Sequence, residues 1–480
     1  MACNIKSPPW TEEELNKVLS SLKQGKSRDQ SGLICDIFQK PVCGDNLKLS
    51  MLTLLNKTKE TLQIPEFFQN SNISSIWKKK GDILNLEFHR GIFLVSLFKT
   101  VIMKLIYMRN YETVDYNMSE SNVGGRKGRN CRDHIFVVNG AIQDALSSKS
   151  AKPLDLFICD YKTMFDGLDV KTTMNDLYQN GVQDENFALI YKLYKTSKIA
   201  VKTPLGLTDR RQVDREVITQ GDCLGPILAS STVDTFGKEC YQKNKHLYWY
   251  RDSTPVSLLT MIDDVFAISN CGPDATKMQE YINIKSASKK LQFSTSKTFR
   301  MHIGRKRPDY KCENIFIDSW ETNKISTEKY IGKVRVRNTY CTKYLGEVIC
   351  TSGTNTENIL SRKKRGFGTI KDICNMLDNM CLGPYMFKKA VVLRDSMLVG
   401  TLLTCSEAWY NVTETDLRSL EQSDKSLWCN LLEVAQTVPY DLVCLELGLV
   451  PIRYIIMRRR LVYLQHILKQ KESSLIKQFF

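Results

Sequence analysis

The chain has 480 residues, a formal net charge of +16 and 42% hydrophobic residues. That length supplies cores for two or three subdomains. A mean hydropathy of -0.28, with no apolar stretch long enough to span a bilayer, excludes a helical membrane protein. The cationic excess points to a polyanionic partner, with nucleic acid ahead of an anionic membrane.

In chain order, Met1 to Trp10 lacks the apolar core of a signal peptide. Trp10 to Leu22 reads as a helix, with Thr11 as cap and Glu14 closing a capping box. A basic turn, Lys78-Lys79-Lys80-Gly81-Asp82, precedes the apolar run Gly91 to Tyr107. That run, interrupted by Lys99 and Lys104, predicts a buried helix following a strand. A Gly-rich basic loop follows at Gly124-Gly125-Arg126-Lys127-Gly128-Arg129.

From Pro153 to about Ser269 the pattern is strand, helix, strand, helix, hairpin. Leu154, Leu156, Phe157 and Ile158 form an apolar run that stops at Asp160, the habit of a buried strand ending in a polar site. Val256 to Ile262 and Val265 to Ile268 flank Asp263-Asp264 and predict a tight hairpin. Beyond about Thr356 the chain reads as helical, and Tyr454, Met457, Leu461, Leu464 and Leu468 make an apolar face at alternating spacings of three and four. The fold class predicted is α+β, followed by a helical basic C-terminal region. The 16 cysteines are scattered, often in apolar runs (Cys159, Cys374, Cys405, Cys444), and predict reduced thiols in an intracellular protein. With five histidines and no CxxC pair, a zinc site is not expected.

Hairpin tips favour Asn-Gly or Asp-Gly, because the favoured turns need positive φ. Met261-Ile262-Asp263-Asp264-Val265 instead places two carboxylates between apolar strands. Like charges that close repel, and burial makes each costlier; a hard divalent cation answers both problems. An isolated Asp-Asp is usually an exposed acidic turn. Here Asp160 ends a second apolar strand, with Phe165-Asp166 entering the next helix, and Gln220-Gly221-Asp222-Cys223-Leu224-Gly225-Pro226 lies between the two acidic sites.

Together these residues resemble the palm motifs of reverse transcriptases: Asp-aromatic-x-x-x-Phe-Asp, Gln-Gly-x-x-Leu-x-Pro and an Asp-Asp hairpin. Lys80-Gly81-Asp82 with His89-Arg90-Gly91-Ile92, and Ser119 to His134 with Gly124, Arg126, Gly128, Arg129, Asp133 and His134, resemble the blocks upstream of the palm in non-LTR (LINE-type) retrotransposons. Lys297-Thr298 and Tyr344-Leu345-Gly346 resemble the blocks downstream of it. Seven motifs in order over roughly residues 10 to 470 are specific where any one is weak. Met261-Ile262 replaces the usual aromatic-Ala, His89 replaces Tyr, Lys127 replaces Pro and Thr163-Met164 replaces Lys-Ala; none removes a carboxylate.

The resemblance implies a right-hand fold with fingers (10–150), palm (151–350) and helical thumb (356–480). It implies an RNA-directed DNA polymerase, a nucleotidyltransferase acting on RNA template, DNA primer and dNTPs. Asp160, Asp263 and Asp264 would hold two Mg²⁺ ions, with the Tyr161 carbonyl assisting. Lys297 would protonate the leaving pyrophosphate, and Asp166 would support local structure. Lys79 or Lys80, with Arg90, would clamp the triphosphate; Gln220 and Gly221 would seat the nascent pair. Phe165 would exclude a 2′-hydroxyl. Tyr344, Leu345 and Gly346 would grip the primer. Arg362-Lys363-Lys364-Arg365 and Arg458-Arg459-Arg460 would track the nucleic-acid backbone. No endonuclease block is expected within these residues. A decayed nucleic-acid-binding remnant and an RNA-dependent RNA polymerase are the alternative readings.

Overall fold

The computed structural model describes residues 6–25, 28–29, 31–39, 45–79, 81–147, 152–162, 164–212, 218, 221–243, 247–304, 315–322, 328–380 and 385–480. The first region holds helices α1 (Glu12–Ser20), α2 (Asp36–Gln39), α3 (Asp45–Thr61) and α4 (Glu66–Gln69), strands β1 (Asn70–Trp77) and β2 (His89–Val95), then α5 (Leu97–Asn117) and α6 (Cys131–Leu146). Next come β3 (Leu154–Asp160), α7 (Met164–Gly167), α8 (Val170–Gln179), α9 (Glu185–Lys195), β4 (Lys198–Thr203), β5 (Gly206–Leu207), β6 (Arg211–Gln212) and α10 (Gly225–Gln242). The hairpins β7 (Tyr248–Tyr250) with β8 (Thr254–Val256), and β9 (Leu258–Met261) with β10 (Asp264–Asn270), follow, and α11 (Pro273–Ser288) packs behind. Strands β11 (Phe299–Ile303), β12 (Phe316–Thr322), β13 (Glu328–Arg335), β14 (Arg337–Asn338), β15 (Cys341–Tyr344) and β16 (Glu347–Cys350) precede a helical region. Its helices are α12 (Thr356–Asp378), α13 (Met386–Leu393), α14 (Val399–Leu402), α15 (Glu414–Leu432), α16 (Tyr440–Glu446), α17 (Ile452–Leu468) and α18 (Leu475–Phe479).

The fold is α+β. One sheet runs β2-β1-β4-β5 with β6 on β4, and the other β14-β11-β3-β10-β9. The second is covered on both faces, which explains the unbroken apolar run of β3. Successive side chains of a strand point to opposite faces. Phe157, Cys159, Val265 and Ala267 enter a core shared with α5, α8 and α10, and Leu156, Ile158, Phe266 and Ile268 enter one shared with α6 and β15–β16. Asp155, buried among them, is held by Arg300 at 2.6 Å and His302 at 3.1 Å. Burial pushes its carboxyl up, but those two partners outweigh it and hold it below the ordinary value. A third core lies within the C-terminal helices.

The predicted capping box forms at α1, with Thr11 accepting from the Glu14 amide and Glu14 from the Thr11 amide. The Gly91 to Tyr107 run divides into β2 and α5, as its strand-then-helix pattern predicts. Among the described residues no helix is long and apolar enough to cross a membrane.

Two expectations are corrected. Cys341 and Cys350 are joined as a disulfide, because the antiparallel register of β15 and β16 sets them opposite each other; Cys159, Cys374, Cys405 and Cys444 are free thiols. On α17 the core takes Ile452, Ile456, Tyr463 and Ile467, while Tyr454, Met457, Leu461 and Leu468 of the predicted apolar face stand exposed. The helix is apolar on both sides, so periodicity alone does not choose the buried one.

Candidate active site

Three segments bring the acidic residues to one end of the second sheet. Asp160 is the last residue of β3 and pairs in register with Asp264, the first of β10. The β9–β10 hairpin turns through Ile262 and Asp263, with Met261 opposite Asp264. Ile262 has φ 57°, a left-handed conformation that glycine favours and a β-branched residue resists. Such strain costs about 1–3 kcal/mol and persists only where the surroundings enforce it.

The surroundings here are the Gly-rich loop. The Val123 amide donates to the Thr260 carbonyl, and the Thr260 amide to the Ser121 carbonyl. This stitches residues 121–123 to the edge strand β9. Gly124 then lies so close that a Cβ would sit 2.5 Å from Ser230 Oγ and 2.6 Å from the Ile262 nitrogen. Arg126 is spent on this loop's architecture: its guanidinium is buried and donates to Asp115 and to the Ser119 and Asn122 carbonyls.

The electrostatics follow from this crowding. Asp264 is pushed up to about 7, by burial first and then by Asp263 and Asp160. Asp263 is also raised: loss of water around the turn contributes most, and Asp160 adds to it. Its own backbone amide, Lys297 and Arg90 pull the other way. Lys297 Nζ lies 2.7 Å from Asp160 Oδ2. Among the described residues no three His, Cys, Asp or Glu side chains are gathered into an ion-holding cage. The donor chemistry nonetheless fits a hard cation: three carboxylates at paired strand ends, one of them raised by burial and by the other two, gain from any positive charge.

Arg90 sits exposed on β2, opposite Ile76 of β1. The backbone of the same strand closes on Gly221, where φ is 113° and a Cβ would come within 3.3 Å of the Phe93 carbonyl. Glycine is therefore required there. Next to it Asp222 accepts from the Leu224 and Gly225 amides at the start of α10 and from Tyr194 at 2.9 Å. Lys79 is exposed in the loop after β1, and Phe165 is half-buried on α7 at the edge of the large core. The Tyr161 side chain turns inward, stacked on Phe293 at 5.0 Å and bonded to Ser286. Lys80, Gln220 and the Asp166 side chain lie outside the described residues.

Tyr344-Leu345-Gly346 does form a hairpin tip, with Leu345 at φ 47° and Gly346 at φ 85°, the pair of positive values a two-residue turn favours. Tyr344 is buried against Phe266 of the sheet, ring centroids 4.4 Å apart.

The basic runs behave differently from expectation. Arg362 is fully buried, paired with Glu347 and donating to the Thr401 carbonyl. It anchors the β15–β16 hairpin to α12 instead of facing nucleic acid; Lys364 and Arg365 stay exposed. Arg459 donates to the Leu403 carbonyl and Arg460 to the Trp409 carbonyl, leaving Arg458 exposed. Sequence reasoning assigned no role to Lys99, buried and bonded to Ser197 at 2.7 Å with its ammonium lowered to about 8 by burial. Its only signal was a lysine inside an apolar run.

No family model matches the chain, and no curated protein matches it. Among solved structures, an apo telomerase from Candida tropicalis truncated from its C-terminal domain is similar at 14% identity with a TM-score of 0.34. The match covers 57% of this chain and 54% of that one, so this chain spans about half the length of that structure.

Proposed function

We propose that the chain is an RNA-directed DNA polymerase of the non-LTR retrotransposon class, adding dNTPs to a primer 3′-OH on an RNA template. The observation that carries the reading is the in-register pairing of Asp160 with Asp264 beside the strained Ile262-Asp263 turn, in a chain whose motifs follow that family's order. In this reading residues 10–150 are fingers, 151–350 palm and 356–480 thumb.

Asp160, Asp263 and Asp264 would hold Mg²⁺, and ions bound there supply the charge that stabilises an in-line displacement at phosphorus. The chain's own groups do the rest. Arg90, its planar fork suited to phosphate oxygens, receives the triphosphate together with Lys79. Gly221 lets backbone approach the nascent pair. Lys297, held on Asp160, exchanges that partner for the departing pyrophosphate and gives it a proton. Phe165 excludes a 2′-hydroxyl, and the Tyr344-Leu345-Gly346 tip seats the primer end. Arg458, Lys364 and Arg365 are the thumb cations free of the buried pairing that claims Arg362.

The test is primer extension on poly(rA)–oligo(dT) with Mg²⁺, wild type beside Asp263→Asn. The expected result is activity in the wild type and a loss of at least about three orders of magnitude in the variant. An inactive wild type that still binds RNA assigns the chain to a decayed remnant. Extension with rNTPs alone assigns it to an RNA-dependent RNA polymerase.

A further inference from the structure

Helix α17 carries two apolar faces, and only one is covered. Ile452, Ile456, Tyr463 and Ile467 are buried, whereas on the opposite arc Tyr454, Met457, Leu461 and Leu468 are 56%, 57%, 66% and 52% exposed. A contiguous apolar stripe left facing water marks an interaction surface. The stripe has alternating spacings of three and four, the seam geometry by which one helix receives another. It continues into a groove of about 590 Å³, whose walls include Phe136, Tyr410, Met457, Leu461, Leu464 and Phe480.

Charge selects the occupant. From Ile452 to Lys471 the sequence has no acidic residue; Arg453 is paired with Glu421 and Glu414, and Arg458, Lys469 and Lys471 stand exposed. A second copy laid on this face would set cations against cations, which opposes pairing. A single nucleic-acid strand would find the cations and the exposed Tyr454 ring, but Met457, Leu461, Leu464 and Leu468 form an aliphatic run at helical spacing that matches leucine-type side chains better than bases. We propose that the exposed face of α17 and its adjoining groove dock an acidic amphipathic helix of a partner protein. Leucine-type side chains of that helix cover Met457, Leu461 and Leu468, and its flanking carboxylates meet Arg458 and Lys469. On this account Arg458 serves the partner helix and not nucleic acid, and the thumb cations of the polymerase reading reduce to Lys364 and Arg365.

The probe is a labelled synthetic helix of about 18 residues with leucine at three-four spacing and glutamate on both flanks, titrated against the full chain by fluorescence anisotropy. Its counterpart carries lysine in place of glutamate. The acidic helix is expected to bind and the basic one not. Met457→Asp with Leu461→Asp, and separately Arg458→Glu with Lys469→Glu, should each weaken binding at least about tenfold with unchanged thermal melts. Equal binding of both helices, or undiminished binding to both variants, overturns the proposal. So does a wild-type dimer that Leu461→Asp dissociates, which assigns the face to a second copy. A single-stranded RNA that displaces the helix and itself fails on Met457→Asp with Leu461→Asp also overturns it, in favour of nucleic acid.

Discussion

His134 Nδ1 lies 3.0 Å from Tyr344 Oη, while its Nε2 lies 3.0 Å from the Ser121 carbonyl. A carbonyl only accepts, so Nε2 carries the proton, and the neutral ring leaves Nδ1 to accept from the tyrosine. Burial lowers the imidazole to about 4, which keeps it neutral. One ring thus ties the hairpin tip at 344–346 to the loop that supports the acidic turn.

Removing the hydroxyl in Tyr344→Phe leaves Nδ1 buried without a donor, a loss of about 1–3 kcal/mol. Denaturant unfolding should show it. Because the tip also moves, the primer KM of an active enzyme should rise while the dNTP KM holds. Equal stability of Tyr344→Phe and wild type would sink the tie.

Asp264 titrates near 7 when folded, against 3.8 for the free group. Between those values the folded chain keeps a proton that the unfolded chain has lost, so the residue's cost to stability grows as pH rises through that window. Asp264→Asn removes the cost. The variant should match wild type at about pH 4 and exceed it by on the order of 2–4 kcal/mol at about pH 8. His134 slopes the other way, since its folded value lies below its unfolded one, but it is common to both proteins and cancels in the difference. A difference that does not change with pH discards this account.

Gly124 offers a purely steric probe of the same turn. In Gly124→Ala the new methyl meets the Ile262 nitrogen at 2.6 Å, and backbone cannot step aside as a flexible side chain can. Overpacking of that kind costs about 1–3 kcal/mol, and here it is paid by the turn that holds Asp263. The expected signature is a loss of primer extension larger than the melting shift alone explains. Gly368→Ala is the control, since nothing lies within 4 Å of a Cβ there and its backbone is helical.

What the sequence displayed of this site was whatever local pattern controls. An apolar run stopping at Asp160 read as a strand end because β3 is buried on both faces, and Thr11 with Glu14 read as a cap because both partners are local. Partnerships across long separations were hidden. Arg362 looked like one member of a basic run, and only the fold brings Glu347 beneath it. His134 looked like a motif letter until Tyr344, 210 positions later, was placed on its ring. On α17 the pattern was legible but degenerate, and the choice of buried face depended on the helices around it.

Phe165 is the residue on which the family resemblance is most exposed to test. It is half-buried on α7, against the core yet within six positions of Asp160. If its ring lies under the sugar of the incoming nucleotide, it fills the space a 2′-hydroxyl needs, and discrimination comes from a clash together with a desolvated hydroxyl. Phe165→Val should then admit rNTPs while impairing dNTP use only moderately. If the ring is core and nothing more, truncation costs about 3–5 kcal/mol at most, and molecules that still fold keep their sugar preference. The ratio of kcat/KM for dNTP over rNTP, measured beside thermal melts of both proteins, separates the two. A collapsed ratio with a near-native melt supports the gate; an unchanged ratio with a lowered melt makes Phe165 a packing residue and removes one of the family's marks from this chain.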